Sequence, residues 1–209
     1  MMNFFPITLE GTYVRVEPLA QKHCDDLFLA SQYSEIWELM ITPAPKTRDE
    51  MRTWIEISLE QVAAGTHVWF AIVERADNRA VGVTSYMSIA RADRGLEIGG
   101  TWLTPSTWRT AINTECKYLL LRHAFEELRC IRVQLKTDER NLRSQRAIER
   151  LGAVKEGVLR KYQISQNNFP RNTVMYSIVD SEWSAVKKKL ESFLNKPQNH
   201  TETHGKMSF

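Results

Sequence analysis

Gly99 and Gly100 stand side by side inside an otherwise strand-like run, residues 96–103. Glycine weakens a strand interior and marks a bulge or a place where another backbone comes close. This run is the third of three strand patterns in succession, after 68–74 and 80–91, the first two joined by a turn at Ala76-Asp-Asn-Arg79. Such a chain is bound to a sheet, and to one with a defect in it.

Around these strands the pattern alternates between the two periods. Residues 9–18 alternate and stop at Pro18, while Cys24, Leu27, Phe28 and Ala30 give 20–32 a helical spacing. A short helix is expected over 35–40. Thr47-Arg-Asp-Glu50 resembles a capping box ahead of a helical face made by Met51, Trp54, Ile55, Ser58, Leu59 and Val62, ending at Gly65. Beyond the third strand, Pro105-Ser-Thr-Trp reads as a loop and 113–128 as a strongly apolar helix. Residues 131–137 form a strand whose Arg132, Gln134 and Lys136 share a polar face, and 141–151 a helix closed by Gly152. A hairpin over 154–165 and 171–179 and a last helix over 182–194 complete an α+β arrangement around one sheet. Residues 1–194 are expected to form one domain, and 195–209 a polar tail in which His200 and His204 have no assigned role.

With 43% hydrophobic residues in a chain of 209, there is apolar mass for a sizeable core. A net charge of +3 is too balanced for an obligate nucleic-acid coat. No run reaches the ~18 apolar residues of a spanning helix, since 118–121 is flanked by Lys117 and Arg122. Residues 1–6 lack a basic start and a long apolar stretch, so no secretory signal is expected. Cys24, Cys116 and Cys130 are odd in number and at no metal-like spacing, which suggests reduced thiols. The expectation is a cytoplasmic protein with no metal, membrane or nucleic-acid partner, as a monomer or homodimer.

Two joints carry the polar chemistry. At the first, a helix begins near 112–114 directly after a tight loop, and unpaired N–H groups there form an anion site suited to a pyrophosphate. Thr110, Asn113 and Thr114 could add hydrogen bonds, and Arg109 and Lys117 charge; capping alone would also explain them. At the second, Asn141 and Ser144 head an apolar stripe with Ile148 and Leu151, as a ligand-facing pair or as N-cap and N3 residue.

Four segments in this order resemble the GNAT superfamily of acyl-CoA-dependent N-acetyltransferases, and within it the ribosomal-protein (Rim-type) branch. They are Leu9-Glu-Gly-Thr-Tyr-Val-Arg-Val-Glu-Pro-Leu, Leu96-Glu-Ile-Gly, Pro105-Ser-Thr-Trp-Arg-Thr-Ala-Ile-Asn-Thr-Glu, and Asn141-x-x-Ser144-x-x-Ala-Ile-x-x-Leu-Gly152. The resemblance spans residues 9–194. It implies a mixed, mostly antiparallel sheet splayed between the fourth and fifth strands (96–103 and 131–137), with helices on both faces. Acetyl-CoA would bind there, its pantetheine lying along the fourth strand as an extra strand. The superfamily's pyrophosphate loop falls on Trp108-Arg109-Thr110-Ala111-Ile112-Asn113, with Ala111 in place of a glycine and Asn113 in place of a small residue, which narrows the room for phosphate. Asn141 matches the residue that hydrogen-bonds the coenzyme arm, and Arg143 or Arg146 could reach its outer phosphate.

The reaction so implied is direct attack of a primary amine on the thioester through a tetrahedral oxyanion, held by a backbone N–H within Thr101, Trp102 and Leu103. The superfamily's usual tyrosine position is Ile148; in the Rim-type branch a serine serves beside the sulfur, and Ser144 matches it. The branch's glutamate falls on Gln163, which takes no proton, leaving Glu97 as base, with Glu156 and Tyr162 in reserve. As an exposed strand residue, Glu97 could instead pair with Arg94. An α-amine, with a pKa of ~7.7–8.0, costs under about 1 kcal/mol to deprotonate near neutral pH, whereas a lysine amine at ~10.4 costs roughly 4 kcal/mol. The expected acceptor is therefore an α-amine, on a protein N-terminus or a small molecule. Trp37 and Met40, beside Thr42-Pro-Ala-Pro, are expected to line its pocket. Ala111, Ile148 and Gln163 also suit a module that binds coenzyme without turnover.

Overall fold

The computed structural model describes residues 7–195. Its strands are β1 (Leu9–Glu10), β2 (Val14–Pro18), β3 (Val68–Glu74), β4 (Arg79–Ala90), β5 (Gly95–Leu103), β6 (Arg132–Asp138), β7 (Val154–Ser165) and β8 (Phe169–Val179), in the spatial order β1-β2-β3-β4-β5-β6-β8-β7. Every neighbouring pair is antiparallel except β5 and β6, which are parallel. The helices are α1 (Cys24–Ala30), α2 (Ser34–Trp37), α3 (Arg48–Ala63), α4 (Ala111–Arg122), α5 (Leu142–Leu151) and α6 (Asp180–Leu194).

Alternation along the strands sends side chains to two cores. Tyr86, Leu96, Ile98, Leu120, Leu135, Tyr176 and Leu190 join the core under α4, α5 and α6. Leu27, Ile36, Trp37, Ile55, Val83 and Trp102 join the core under α1, α2 and α3. That second layer of helices packs on β3 and β4, and on the same face β6 and β8 carry the buried polar side chains of Asp138, Arg171, Thr173 and Ser177.

The defect announced by the two glycines sits at the centre of the sheet. β5 and β6 pair only at Gly95–Arg132, Leu96–Val133 and Glu97–Gln134, then part. β5 stays on β4, where Ser85 faces Gly99 and Val83 faces Trp102, three steps against two, with Gly100 at φ 61°. β6 leaves along β8, where Asp138 faces Thr173. The splay therefore lies between the strands expected, here β5 and β6 because the first strand is divided in two.

That division has a cause. Glu115 of α4 accepts the N–H groups of Thr12 (2.7 Å), Tyr13 (2.6 Å) and Val14 (2.8 Å), turning the chain between β1 and β2. A Cβ on Gly11 would stand 2.4 Å from the Glu115 carboxyl carbon, so only glycine fits. The helix expected over 20–32 opens as a 3-10 turn, Gln21–His23. α2 stops at Trp37 rather than at 40, because Gln166 Nε2 takes the carbonyls of Trp37 (2.6 Å) and Met40 (3.1 Å). α4 starts at 111, where Thr110 caps it, and widens into a π turn, His123–Glu127, beyond Leu120, whose carbonyl accepts the Tyr86 hydroxyl at 2.6 Å. Of the tail, only Asn195, the cap of α6, is among the described residues; His200 and His204 lie outside them.

Candidate active site

Glu97 is the last residue of β5 paired with β6 before the strands part, and its side chain is 1% exposed. Oε2 accepts from Lys136 Nζ (3.1 Å) and Gln134 Nε2 (3.1 Å). Oε1 is buried with no hydrogen-bond partner. It lies where a Cβ on Gly99 would fall, 2.7 Å away, so the glycine is the space into which the carboxylate reaches. The alternative of an exposed residue paired with Arg94 does not hold, because Glu97 is buried and Arg94 donates to the carbonyl of Arg129 at 2.9 Å.

Three buried side-chain atoms lack a partner among the described residues: Glu97 Oε1, Trp102 Nε1 and Gln163 Oε1. All belong to the face of the sheet turned away from α4. Trp102 packs in the core under α1–α3, 5.5 Å between ring centroids from Trp37. Gln163 of β7 pairs in register with Arg171 of β8, whose Nε reaches Thr173 Oγ1 at 3.3 Å on that same face. Buried polar atoms are nearly always paired, so each of these three calls for a partner from outside the protein, a water or a ligand atom. Gln166, at the tip of the β7–β8 hairpin, also holds the Thr42 carbonyl at 3.2 Å and so ties this hairpin to the segment after α2, beside the cluster. Trp37 is a buried wall of that region, its indole N–H on the carbonyl of Ser31 at 2.8 Å, while Met40 is only partly buried.

The loop before α4 lies on the other side of the splay. Arg109 takes a left-handed φ of 65°, and the helix starts at Ala111. Ala111 and Ile112 turn their side chains into the protein, so the methyl in place of a glycine does not stand over the N–H groups. Three expectations need correction. The Thr110 hydroxyl is spent on the Thr107 carbonyl (2.7 Å) and the N–H of Ile112 (3.2 Å), which takes both out of a ligand's reach. Thr114 is buried and accepts from Arg150 Nη2 at 2.7 Å. Lys117 is not at the loop: it is buried beneath the bulge, with Nζ on Thr101 Oγ1 (2.6 Å) and Thr84 Oγ1 (3.2 Å), and burial lowers its pKa to about 8. The N–H groups of Ala111 and Asn113 remain for an anion, since a helix start leaves its first donors without partners. Arg143 stacks on Trp108, 3.6 Å from guanidinium carbon to ring centroid, and Trp108 Nε1 donates to the Leu103 carbonyl at 2.9 Å.

Asn141 caps α5 with Oδ1 on the Ser144 N–H at 2.9 Å, as the plainer reading had it. No hydrogen bond among the described residues occupies its amide nitrogen or the Ser144 hydroxyl. Ile148 is buried in the core. Glu156 is no base: Arg132 grips both its oxygens (2.5 and 2.6 Å), Ser177 adds a bond of 2.8 Å, and its pKa falls to about 2. Tyr162 is exposed, with Lys136 Nζ 5.7 Å from its ring centroid. Sequence reasoning missed Lys136, Arg171 and the indole of Trp102. Only the polar face of the 131–137 strand pointed towards Lys136.

Comparison with known proteins bears on the family and the fold. Residues 14–154 match the family model described as the acetyltransferase (GNAT) domain. The probable N-acetyltransferase YjcK of Bacillus subtilis is 28% identical over 157 residues, 73% of this chain and 87% of that protein. A GCN5-related N-acetyltransferase from Brucella melitensis superposes with a TM-score of 0.85 at 30% identity, over 95% of this chain and 92% of that one. A crystal structure described as an acetyltransferase from T. thermophilus gives 0.84 at 40% identity, over 92% of this chain and 100% of that one.

Proposed function

This chain belongs to the GNAT acetyltransferase family, and on that premise we propose that it carries the acetyl group of acetyl-CoA to the α-amine of its acceptor by direct attack, with Glu97 as the base. The observation that carries the reading is the Glu97 carboxylate, buried at the mouth of the splay with Lys136 on one oxygen and nothing on the other. A base must sit within hydrogen-bond reach of the proton it takes, and Oε1 is the free acceptor at that mouth.

The donor supplies an activated acetyl thioester. Beyond Glu97 the edge of β5 is not paired with β6, so a main-chain N–H within Thr101, Trp102 and Leu103 can meet an extended arm and the charge that forms on the acetyl oxygen, the Leu103 carbonyl being taken by Trp108. The N–H groups of Ala111 and Asn113 would hold the pyrophosphate, with Arg109 and with Arg143, steadied by Trp108, supplying positive charge. Asn141 offers its amide nitrogen to the arm, and Ser144 its hydroxyl to the sulfur as it leaves. Trp37 and Met40 wall the acceptor side. Glu97 Oε1 takes one proton from the acceptor's ammonium, which frees the amine's lone pair.

Calorimetry with acetyl-CoA, then thiol release with a free N-terminal peptide and with its N-blocked, lysine-containing twin, tests this. Binding followed by faster release with the free amine is expected. Faster turnover of the blocked peptide rejects the α-amine, and binding without release from any amine rejects catalysis.

A further inference from the structure

Arg171 is the feature of this face that proton transfer does not use. It is 5% exposed. Nε donates to Thr173 Oγ1 at 3.3 Å, and the one carboxylate within 4 Å, Asp138, stands 3.9 Å away. Asp138 is already committed, since Arg140 holds it at 2.7 and 3.0 Å and adds its backbone N–H at 2.9 Å. No hydrogen bond among the described residues uses the terminal nitrogens of Arg171, although a guanidinium presents a fork of donors suited to a carboxylate.

On this face Lys136 pairs with Glu97 at 3.1 Å and Arg140 with Asp138 at 2.7 Å, which leaves Arg171 only the longer contact with Asp138. The terminal nitrogens of Arg171 are not among the buried unpaired atoms, so they are accessible and open to an anion. The phosphates of the donor do not fill that role, because their N–H groups belong to the start of α4 on the far side of the splay. Glu97 lies close enough for its charge to act on Arg171.

We infer that the acceptor is a small zwitterion of the amino-acid type, its amine set on Glu97 and its carboxylate on Arg171. This rests on the acetyl-transfer reading and narrows its acceptor. The two groups then divide as such a molecule requires: Glu97 Oε1 accepts from the nitrogen, and the terminal nitrogens of Arg171 donate to the carboxylate. Pairing the carboxylate with Arg171 also removes the negative charge that holds a free amino acid's amine protonated, which eases the transfer to Glu97.

The test measures thiol release from acetyl-CoA with free amino acids, their carboxamides, and peptides with free N-termini. A site built to bond a substrate group rejects the analogue lacking it, so an amino acid should exceed its own amide by about 10²-fold in kcat/KM. Arg171→Gln should bring that ratio to within about threefold, and Arg171→Lys, if the glutamine variant does not fold, should keep the preference at reduced kcat/KM. Equal or faster turnover of the amide, or an unchanged ratio in Arg171→Gln, overturns the inference. So does efficient turnover of peptides with neutral leading residues, which points to a protein N-terminus, or of peptides led by Asp or Glu when free amino acids fail, which moves the carboxylate to a side chain. Absence of release with every amine, amides included, is a different failure, that of the acetyltransferase reading itself.

Discussion

Two buried glutamates on opposite sides of the sheet are put to opposite uses. Glu115, on α4, has three backbone N–H groups on its two oxygens and holds the turn between β1 and β2. Glu97, on β5, is buried as deeply, but its bonds gather on Oε2, and Oε1 has none. Burial alone does not separate them. A carboxylate with both oxygens bonded contributes to stability, whereas one with a buried oxygen left unbonded costs stability and is available to a ligand. The division continues around each residue: Thr114, near Glu115, is bonded to Arg150, while Trp102 and Gln163, on the face of Glu97, each keep an orphaned atom.

Exchanging charge for amide at the two sites tests that division most severely. Glu97→Gln removes the base and should lower kcat/KM by about 10²–10⁴-fold, the usual range for a positioned proton acceptor. Its melting temperature should move by no more than about 3 °C, roughly 1 kcal/mol for a chain of this length, because only one of its oxygens is in use. Glu115→Gln should reverse the pattern. It puts an amide against three donors, should cost about 3 kcal/mol and some 6–12 °C, and should leave kcat/KM of the folded protein within about twofold. Steady-state thiol release and thermal melts on both proteins decide the matter. A large thermal loss at Glu97 with little loss of rate would erase the distinction.

Lys117 sharpens it with a third buried charge, one whose partners are neutral. It bonds two threonine hydroxyls, which also bond each other at 2.8 Å, and burial sets its pKa to about 8. The unfolded chain, with a lysine near 10.4, binds a proton that the folded chain has released between those values, so this residue's contribution to stability rises with pH from about 8 to about 10.4. Below pH 8 the full penalty is present, about 3 kcal/mol before the hydrogen bonds are counted. The other titratable groups on this side act in the opposite sense: burial raises the Cys116 and Cys130 thiols to about 11 and the Tyr86 phenol well above its ordinary value, and stability held by protonated thiols is lost as pH climbs towards 11. Subtracting the curves for Lys117→Met and the parent protein isolates the lysine. The variant should be the more stable by about 2 kcal/mol at pH 7, with the gap closed by about pH 10.4. A variant less stable at pH 7 shows the lysine to be as well satisfied as Glu115.

How much of this was readable beforehand follows from how far each feature reaches along the chain. The bulge is local, and two glycines in an alternating run disclosed it. The starts of α3, α4 and α5 were local too, because Thr47, Thr110 and Asn141 bond N–H groups two or three residues ahead. Glu97 was found by elimination among carboxylates, yet its half-satisfied state depends on Lys136, on another strand. Lys117 was misplaced, because a lysine at the start of an apolar helix reads as a loop charge until Thr84 and Thr101 are brought beneath it. Arg171 gave no signal, since what distinguishes it is that Asp138 belongs to Arg140, a fact of three dimensions. Gln163 was read as a lost glutamate. In the fold its Oε1 is buried with no donor among the described residues.

The smallest effect concerns a group between the two extremes. Gln166 has a single nitrogen spread over three carbonyls, those of Trp37 at 2.6 Å, Met40 at 3.1 Å and Thr42 at 3.2 Å, so no one of those bonds is a full one. Its two amide hydrogens cannot serve three acceptors equally, and its removal leaves carbonyls that water can reach more easily than a core group. Gln166→Ala should therefore cost about one ordinary hydrogen bond, near 1 kcal/mol, and should do so where the hairpin meets the acceptor wall. In rates, that is about a fivefold rise in the acceptor's KM with kcat within about twofold, while the dissociation constant for acetyl-CoA stays where it was. The split matters more than its size. A fall in kcat at constant KM would mean that the hairpin positions Glu97 rather than closing over the acceptor, and a change in acetyl-CoA affinity would join the two sides of the splay that Glu97 and Glu115 otherwise keep apart.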